Sequence, residues 1–203
     1  MTLGNQNLGN RLRGATLALA VVAISSVAFA AVQTFRADTN HTRILFVAST
    51  LLFDVDGSFG RYTFNIEGDP DDLSGVKINV EIDAASITTQ NEQRDNHLRT
   101  ADFFNVAQFP KITFTSTRAV SEGGKIVVEG VLKMHGQEKT LRIPFKKVTA
   151  ANGAGNMETV FKGELVLKRS DFGIGKDSVA AKLSLEDEVK VKLVIAGFFT
   201  PKT

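Results

Sequence analysis

The sequence predicts an all-β domain, an antiparallel barrel of about eight strands with a short helical cap. Runs of alternating apolar and polar residues recur along the chain, the mark of strands with one dry and one wet face. The spacers between runs are short and rich in turn residues, so neighbouring strands are antiparallel; a parallel crossover needs a dozen or more residues. One dense charged segment, Thr89–Phe104, interrupts the pattern. Alternation also fits a two-layer sandwich. The fifteen phenylalanines, against no Trp and one Tyr, tip the reading toward a barrel, because about eight strands close around an interior that can just hold one small ligand.

Residues 1–30 read as a secretory signal peptide. Arg11 and Arg13 precede an apolar run from Ala15 to Val27, and Ala28-Phe29-Ala30 is a small-x-small cleavage site. The run is shorter than the ~20 apolar residues of a membrane span, which leaves an uncleaved anchor as the competing reading. The mature domain is then 31–203, long enough for one domain with a real core. The expected location is a bacterial periplasm. The chain carries 24 basic and 22 acidic residues; the leader holds two of the arginines and no acid, which leaves 22 against 22. A neutral domain gives no footprint for nucleic acid and no polybasic patch for anionic lipid. The chain has no cysteine, so burial and not disulfides must hold the fold, and thiolate metal sites and cysteine nucleophiles are excluded.

The strands follow in order. Ile44, Phe46 and Ala48 begin the first. Tyr62, Phe64 and Ile66 alternate with Arg61, Thr63 and Asn65; Val76, Ile78, Val80 and Ile82 alternate with Lys77, Asn79, Glu81 and Asp83. After the charged segment, Ile112 and Phe114 oppose Lys111, Thr113 and Thr115. Ile126, Val128, Leu132 and Met134 oppose Lys125, Glu129 and Lys133. Leu141, Ile143 and Phe145 oppose Arg142 and Lys146; Phe161, Leu165 and Leu167 oppose Lys162, Glu164 and Lys168. Val189, Val191, Leu193 and Ile195 oppose Lys190 and Lys192. Gly68-Asp69-Pro70-Asp71-Asp72, Glu122-Gly123-Gly124, His135-Gly136-Gln137 and Asn152-Gly153-Ala154-Gly155 supply the reversals, since Gly tolerates positive φ and Pro fixes φ.

In the charged segment, Thr89-Gln90-Asn91-Glu92 matches a capping box with Thr89 as the N-cap. Asp95 and Arg99 stand at i and i+4, Arg99 and Asp102 at i and i+3, spacings at which opposite charges meet on a helix. This predicts a short helix over residues 90–99, anchored by Leu98, then a tight turn, with Leu98, Phe103 and Phe104 pointing into one end of the barrel. Pro110 ends the irregular region.

No catalytic residue, cofactor or metal ligand is assigned. His41, His97 and His135 are far apart and fit no metal-binding spacing; His135, beside a turn glycine, is expected to be exposed. There is no nucleophile elbow, P-loop or dinucleotide fingerprint. Arg94, Asp95, His97, Arg99 and Asp102 could form a catalytic or phosphate-binding cluster, but the same spacings serve a cap stapled by its own charges. Arg169 with Asp171 reads as a structural turn.

Residues 91–104, then Phe109-Pro110-Lys111-Ile112-Thr113-Phe114-Thr115-Ser116-Thr117, resemble the YceI-like family of polyisoprenoid-binding, lipocalin-like proteins, with Thr100 where Ser is usual and Asn105 where Asp is usual. Phe59-Gly60-Arg61, Gly130–Gly136 and Arg169-Ser170-Asp171-Phe172-Gly173 are similar to further segments of that family, so the resemblance covers roughly residues 38–197. It implies an eight-stranded antiparallel lipocalin-like barrel whose elongated apolar cavity holds an isoprenoid chain. Many members carry a histidine shortly after the first strand; here the place reads Ala48-Ser49-Thr50-Leu51-Leu52, and that head-group role does not transfer. The candidate cavity residues are Phe46, Phe64, Ile78, Val80, Ile82, Leu98, Phe103, Phe104, Ile112, Phe114, Leu141, Ile143, Phe145, Phe161, Leu165, Phe172, Val191 and Leu193. The expected activity is binding: an exported protein that sequesters or carries an isoprenoid lipid or quinone. The expected partner is that apolar molecule and no nucleic acid, in a form compatible with transient membrane contact and with a homodimer. Two rival readings remain, an enzyme acting on an isoprenoid head group through Arg94, Asp95 and His97, and a stress or interaction barrel with a packed core.

Overall fold

The computed structural model describes Met1, residues 32–69 and residues 72–201. The leader after Met1, its cleavage site and the Pro70-Asp71 part of the first predicted reversal lie outside the described residues. Eleven strands are described: β1 (Gln33–Ala37), β2 (Arg43–Thr50), β3 (Asp54–Phe59), β4 (Tyr62–Gly68), β5 (Lys77–Asp83), β6 (Ile87–Thr88), β7 (Lys111–Glu122), β8 (Lys125–Met134), β9 (Gln137–Ala151), β10 (Met157–Lys168) and β11 (Leu185–Pro201). Two short helices accompany them, α1 (Glu92–Leu98) and α2 (Val179–Ser184), with 3₁₀ turns at Leu73–Gly75, Ala84–Ser86 and Arg169–Phe172.

All pairings are antiparallel, and they close a ring of eight. β1 and β2 both lie along β11, β1 through Gln33↔Pro201 to Ala37↔Gly197 and β2 through Arg43↔Val194 to Thr50↔Leu185. They form one strand position broken at residues 38–42. β3 with β4 forms the next position, and β5 with the short β6 the third, because β2 pairs β3, β1 pairs β4, β4 pairs β5 and β3 pairs β6. β7 to β11 then run as an unbroken meander back to β1. Among the described residues closure gives every ring position a partner on both sides, which is how a barrel limits edge-to-edge association.

The eight alternating runs therefore correspond to eight ring positions. Their interruptions were not legible, and the first strand does not begin at Ile44: β1 precedes it, and its Phe35 is among the most deeply buried side chains. Several turns follow the expected chemistry. Gly123 and Gly124 both have positive φ between β7 and β8, as do His135 and Gly136 between β8 and β9, the backbone of a two-residue hairpin loop whose twist matches its strands.

The charged segment is a helix, but shorter and capped differently from the expectation. The N-cap is Asn91, whose side chain accepts from Arg94 N–H at 3.0 Å, and the helix spans Glu92–Leu98 rather than 90–99. Thr89 does not cap it. Its backbone N–H and its hydroxyl both donate to Asp95 Oδ1, at 2.7 and 2.5 Å, while Thr88 donates to Asp95 Oδ2. The expected Asp95–Arg99 and Arg99–Asp102 pairs give way to other partners. Arg99 donates to the carbonyls of Ala85 and Ile87 and to Asn96, and Asp102 pairs with His97 at 2.9 Å. Local spacing permitted the charge pairs, but the fold brings the carbonyls of Ala85 in the 3₁₀ turn and Ile87 in β6 within reach of Arg99 instead.

Candidate functional site

Inward-facing apolar residues make two separate buried clusters. One, at the cap end, contains Phe103, Ile112, Leu132, Met134, Phe172 and Ile174. The other, at the far end, contains Phe35, Ile66, Val128, Ile143, Phe145 and Ile195. Between them Phe46, Val80, Leu165, Val189, Val191 and Leu193 also face inward, yet are only half-buried. An inward side chain that keeps accessible surface borders an internal void. That void is a cavity of about 260 Å³ running between the two clusters, and no polar atom reaches its surface. An apolar cavity of about 150 Å³ in another protein stays dry and binds benzene, so this one is ample for a larger apolar guest.

All eighteen candidate cavity residues line it. Sequence reasoning missed other lining residues, among them Phe59, Ile66, Val128 and Phe199. Alternation could have supplied Ile66 and Val128, which share a face with Phe64 and Ile126. Phe59 and Phe199 lie where glycine or a chain end obscures the period.

Glycines explain how so many rings line the wall and still leave space. Gly57, Gly130, Gly163 and Gly197 all face inward, and a Cβ on each would overlap a phenylalanine ring on a neighbouring strand: Phe46, Phe114, Phe145 and Phe35 respectively. Each ring takes up the space that a side chain at the glycine would need. Edge-to-face contacts such as Phe35–Phe161, Phe35–Phe199 and Phe59–Phe104 knit the rings into the wall.

The cap end is built by two latches. Asp95, only 6% exposed, accepts from Thr88 and Thr89 as described, and Arg94 donates to the Thr89 hydroxyl and carbonyl. Burial pushes the Asp95 carboxyl up, but the hydrogen bonds from Thr89 and Thr88, with Arg99 nearby, outweigh it and hold the pKa below the ordinary aspartate value. Arg169 spreads its guanidinium over the carbonyls of Glu186, Ile174, Ala181 and Leu185, tying residues 174–186 across the barrel end. Asp171 does not pair with it and instead faces Lys139 at 3.4 Å. His135 is not exposed as expected: it is half-buried, its Nδ1 is 2.8 Å from the Phe172 carbonyl, and its ring meets Phe109 edge to face. Arg94, Asp95 and His97 are thus each committed to holding the cap, His97 through Asp102 and the Phe103 ring. Outside the cavity wall, Asp38, His41 and Glu158 bring ligand-type atoms within 4.8 Å of one another, a grouping invisible in sequence because Glu158 comes from a distant strand.

The family model of the YceI-like domain matches residues 35–196. A UPF0312 protein of Staphylococcus aureus is 36% identical over 141 residues, covering 69% of this chain and 81% of its own length. The YceI protein of Salmonella arizonae is 36% identical over 140 residues, covering 68% of this chain and 70% of its own. Among solved structures, BcnA of Burkholderia cenocepacia superposes with a TM-score of 0.70 at 25% identity, covering 80% of this chain and all of that one. A domain of Saccharophagus degradans described as polyisoprenoid-binding shares the fold, with a TM-score of 0.61 at 18% identity over 86% of this chain and all of that one.

Proposed function

The chain belongs to the YceI-like domain family, and from that premise we propose that it is an exported protein that holds the chain of an isoprenoid lipid or quinone inside its barrel. The observation that carries the reading is the internal cavity whose surface is wholly apolar. Such a wall offers a guest no hydrogen bond, so binding rests on shape and on burial worth ~0.8 kcal/mol per methylene taken from water. Extraction from a bilayer gains far less, because the chain leaves an apolar solvent. Discrimination among guests then falls to the length and bore of the tube and to any polar groups at its mouth. A polar head, where the guest has one, stays outside the tube, since a buried unpaired charge against this wall would be costly.

The amino-terminal thirty residues support export, with cleavage after Ala30. One experiment tests both parts. Native mass spectrometry of protein purified from its own host should give a polypeptide starting near Ala31 plus the mass of an extractable apolar molecule. An intact leader on membrane-held protein would reject the export reading, and ligand-free protein that also fails to take up a fluorescent prenyl probe would reject the binding reading.

A further inference from the structure

Of the ten exposed large apolar side chains among the described residues, five gather at one place: Leu51, Leu52, Phe53, Val179 and Leu183. The first three form the apex of the β2–β3 hairpin, and the last two stand one turn apart on α2. A hydrogen bond from Leu51 N–H to the Ser184 carbonyl, at 3.2 Å, joins the apex to the end of that helix. The apex is not loose. The Thr50 hydroxyl donates to the Phe53 carbonyl at 2.8 Å and accepts from the N–H groups of Leu52 and Phe53. A stiff turn therefore holds three consecutive apolar side chains in water, where they lower stability and solubility unless something covers them.

We infer that this patch docks the cap end of the barrel onto the interface of a phospholipid bilayer, the phase in which an isoprenoid guest is dissolved. The inference rests on the lipid-binding reading above. Three features favour a bilayer over a protein partner. The patch is narrow and projecting, five side chains where a specific protein interface uses about 20–30 residues a side; a tip of this shape inserts at the acyl boundary. It is also continuous with the lumen wall: Ala48, two residues before the end of β2, and Leu185, the residue after α2, both line the cavity. The lumen wall therefore begins within a few residues of the tip. Finally, the neighbouring charges are of both signs, Asp54, Asp177 and Glu186 with Lys176 and Lys182, so attachment is apolar and does not require anionic lipid.

The test is flotation with phosphatidylcholine vesicles, comparing the parent chain with the double variant Leu52→Asp, Phe53→Asp, both checked by circular dichroism and sedimentation velocity. The parent should float equally at low and high salt, and the variant should lose at least ten-fold in vesicle-bound fraction. Both should bind a fluorescent prenyl probe equally from dilute solution, while the variant should draw the probe out of vesicles at least ten-fold more slowly. Equal flotation of parent and variant, or none by either, overturns the inference. So does a parent dimer that the variant loses without any vesicle binding, which would make the patch a contact between two copies. Failure of both proteins to bind the probe from solution would instead strike the lipid-binding reading, which keeps the two outcomes separate.

Discussion

Asp95 is the carboxylate around which the cap is organised. It is buried, and Thr88 and Thr89 give it three hydrogen bonds. Its folded pKa is depressed below the unfolded value, about 3.9 for an aspartate, so the stabilisation it contributes is complete above about pH 4 and is lost as pH falls through the lower folded value. Asp95→Asn keeps one acceptor and loses the charge. We expect it to cost about 1–3 kcal/mol at neutral pH and to flatten the acid limb of a stability-versus-pH curve measured by denaturant unfolding. An unchanged acid limb would show that other carboxylates, such as Asp83 with Arg61 or Glu129 with Arg118 and Arg142, carry the acid sensitivity. At this scale the sequence was partly misleading. It marked the cap residues and their polar character, but assigned the wrong N-cap and the wrong partners. A capping box and an i, i+4 pair are local patterns, and the acceptors that took Arg99 come from the 3₁₀ turn and β6, reached only when the chain folds back.

Among the elements, the strands and their inward faces were readable because period two follows from backbone geometry alone. What the alternation could not show is why an inward glycine belongs in a strand at all. Gly57 in β3 stands opposite Phe46 in β2, and the Phe46 ring occupies the space a Cβ would need. Glycine weakens a strand interior unless a close approach requires it. Gly57→Ala should push the Phe46 ring off the wall into the lumen. The expected result is a folded barrel, destabilised by about 1–3 kcal/mol as in other overpacked cores, with roughly ten-fold weaker retention of a prenyl probe. Equal probe affinity would mean that Phe46 can yield outward, and that the glycines set strand packing rather than bore.

For the whole molecule, the decisive quantity is the space left between the two buried clusters. Val191 sits midway on β11, between Phe46 of β2 and Leu165 of β10, and faces the cavity. Val191→Trp places an indole across the lumen. In an open tube the variant folds with a melting temperature equal to or above that of the ligand-free parent, because the ring fills a void, and it no longer holds a prenyl probe. In a solid core the same change would be an insertion into packed atoms and would lower stability by about 1–3 kcal/mol. Calorimetry of delipidated protein separates the two, provided bound lipid is removed first, since a ligand raises the apparent stability of whatever binds it.

By itself the sequence determined the class of fold, the number of ring positions, the inward face of the eight alternating runs and the polar, capped character of one barrel end. Each of these follows from local rules, alternation, turn chemistry and spacer length, that act within a few residues. Only the tertiary structure decided that β1 joins β4 to β11 and closes the ring, that Arg169 latches residues 174–186 over the end, and that the interior stays hollow. Ring closure and latching depend on residues far apart in the chain. Hollowness depends on the difference between the volume the backbone encloses and the volume the side chains fill. The same apolar residues describe a packed core and a lined tube equally well until the strands are set at their final distances.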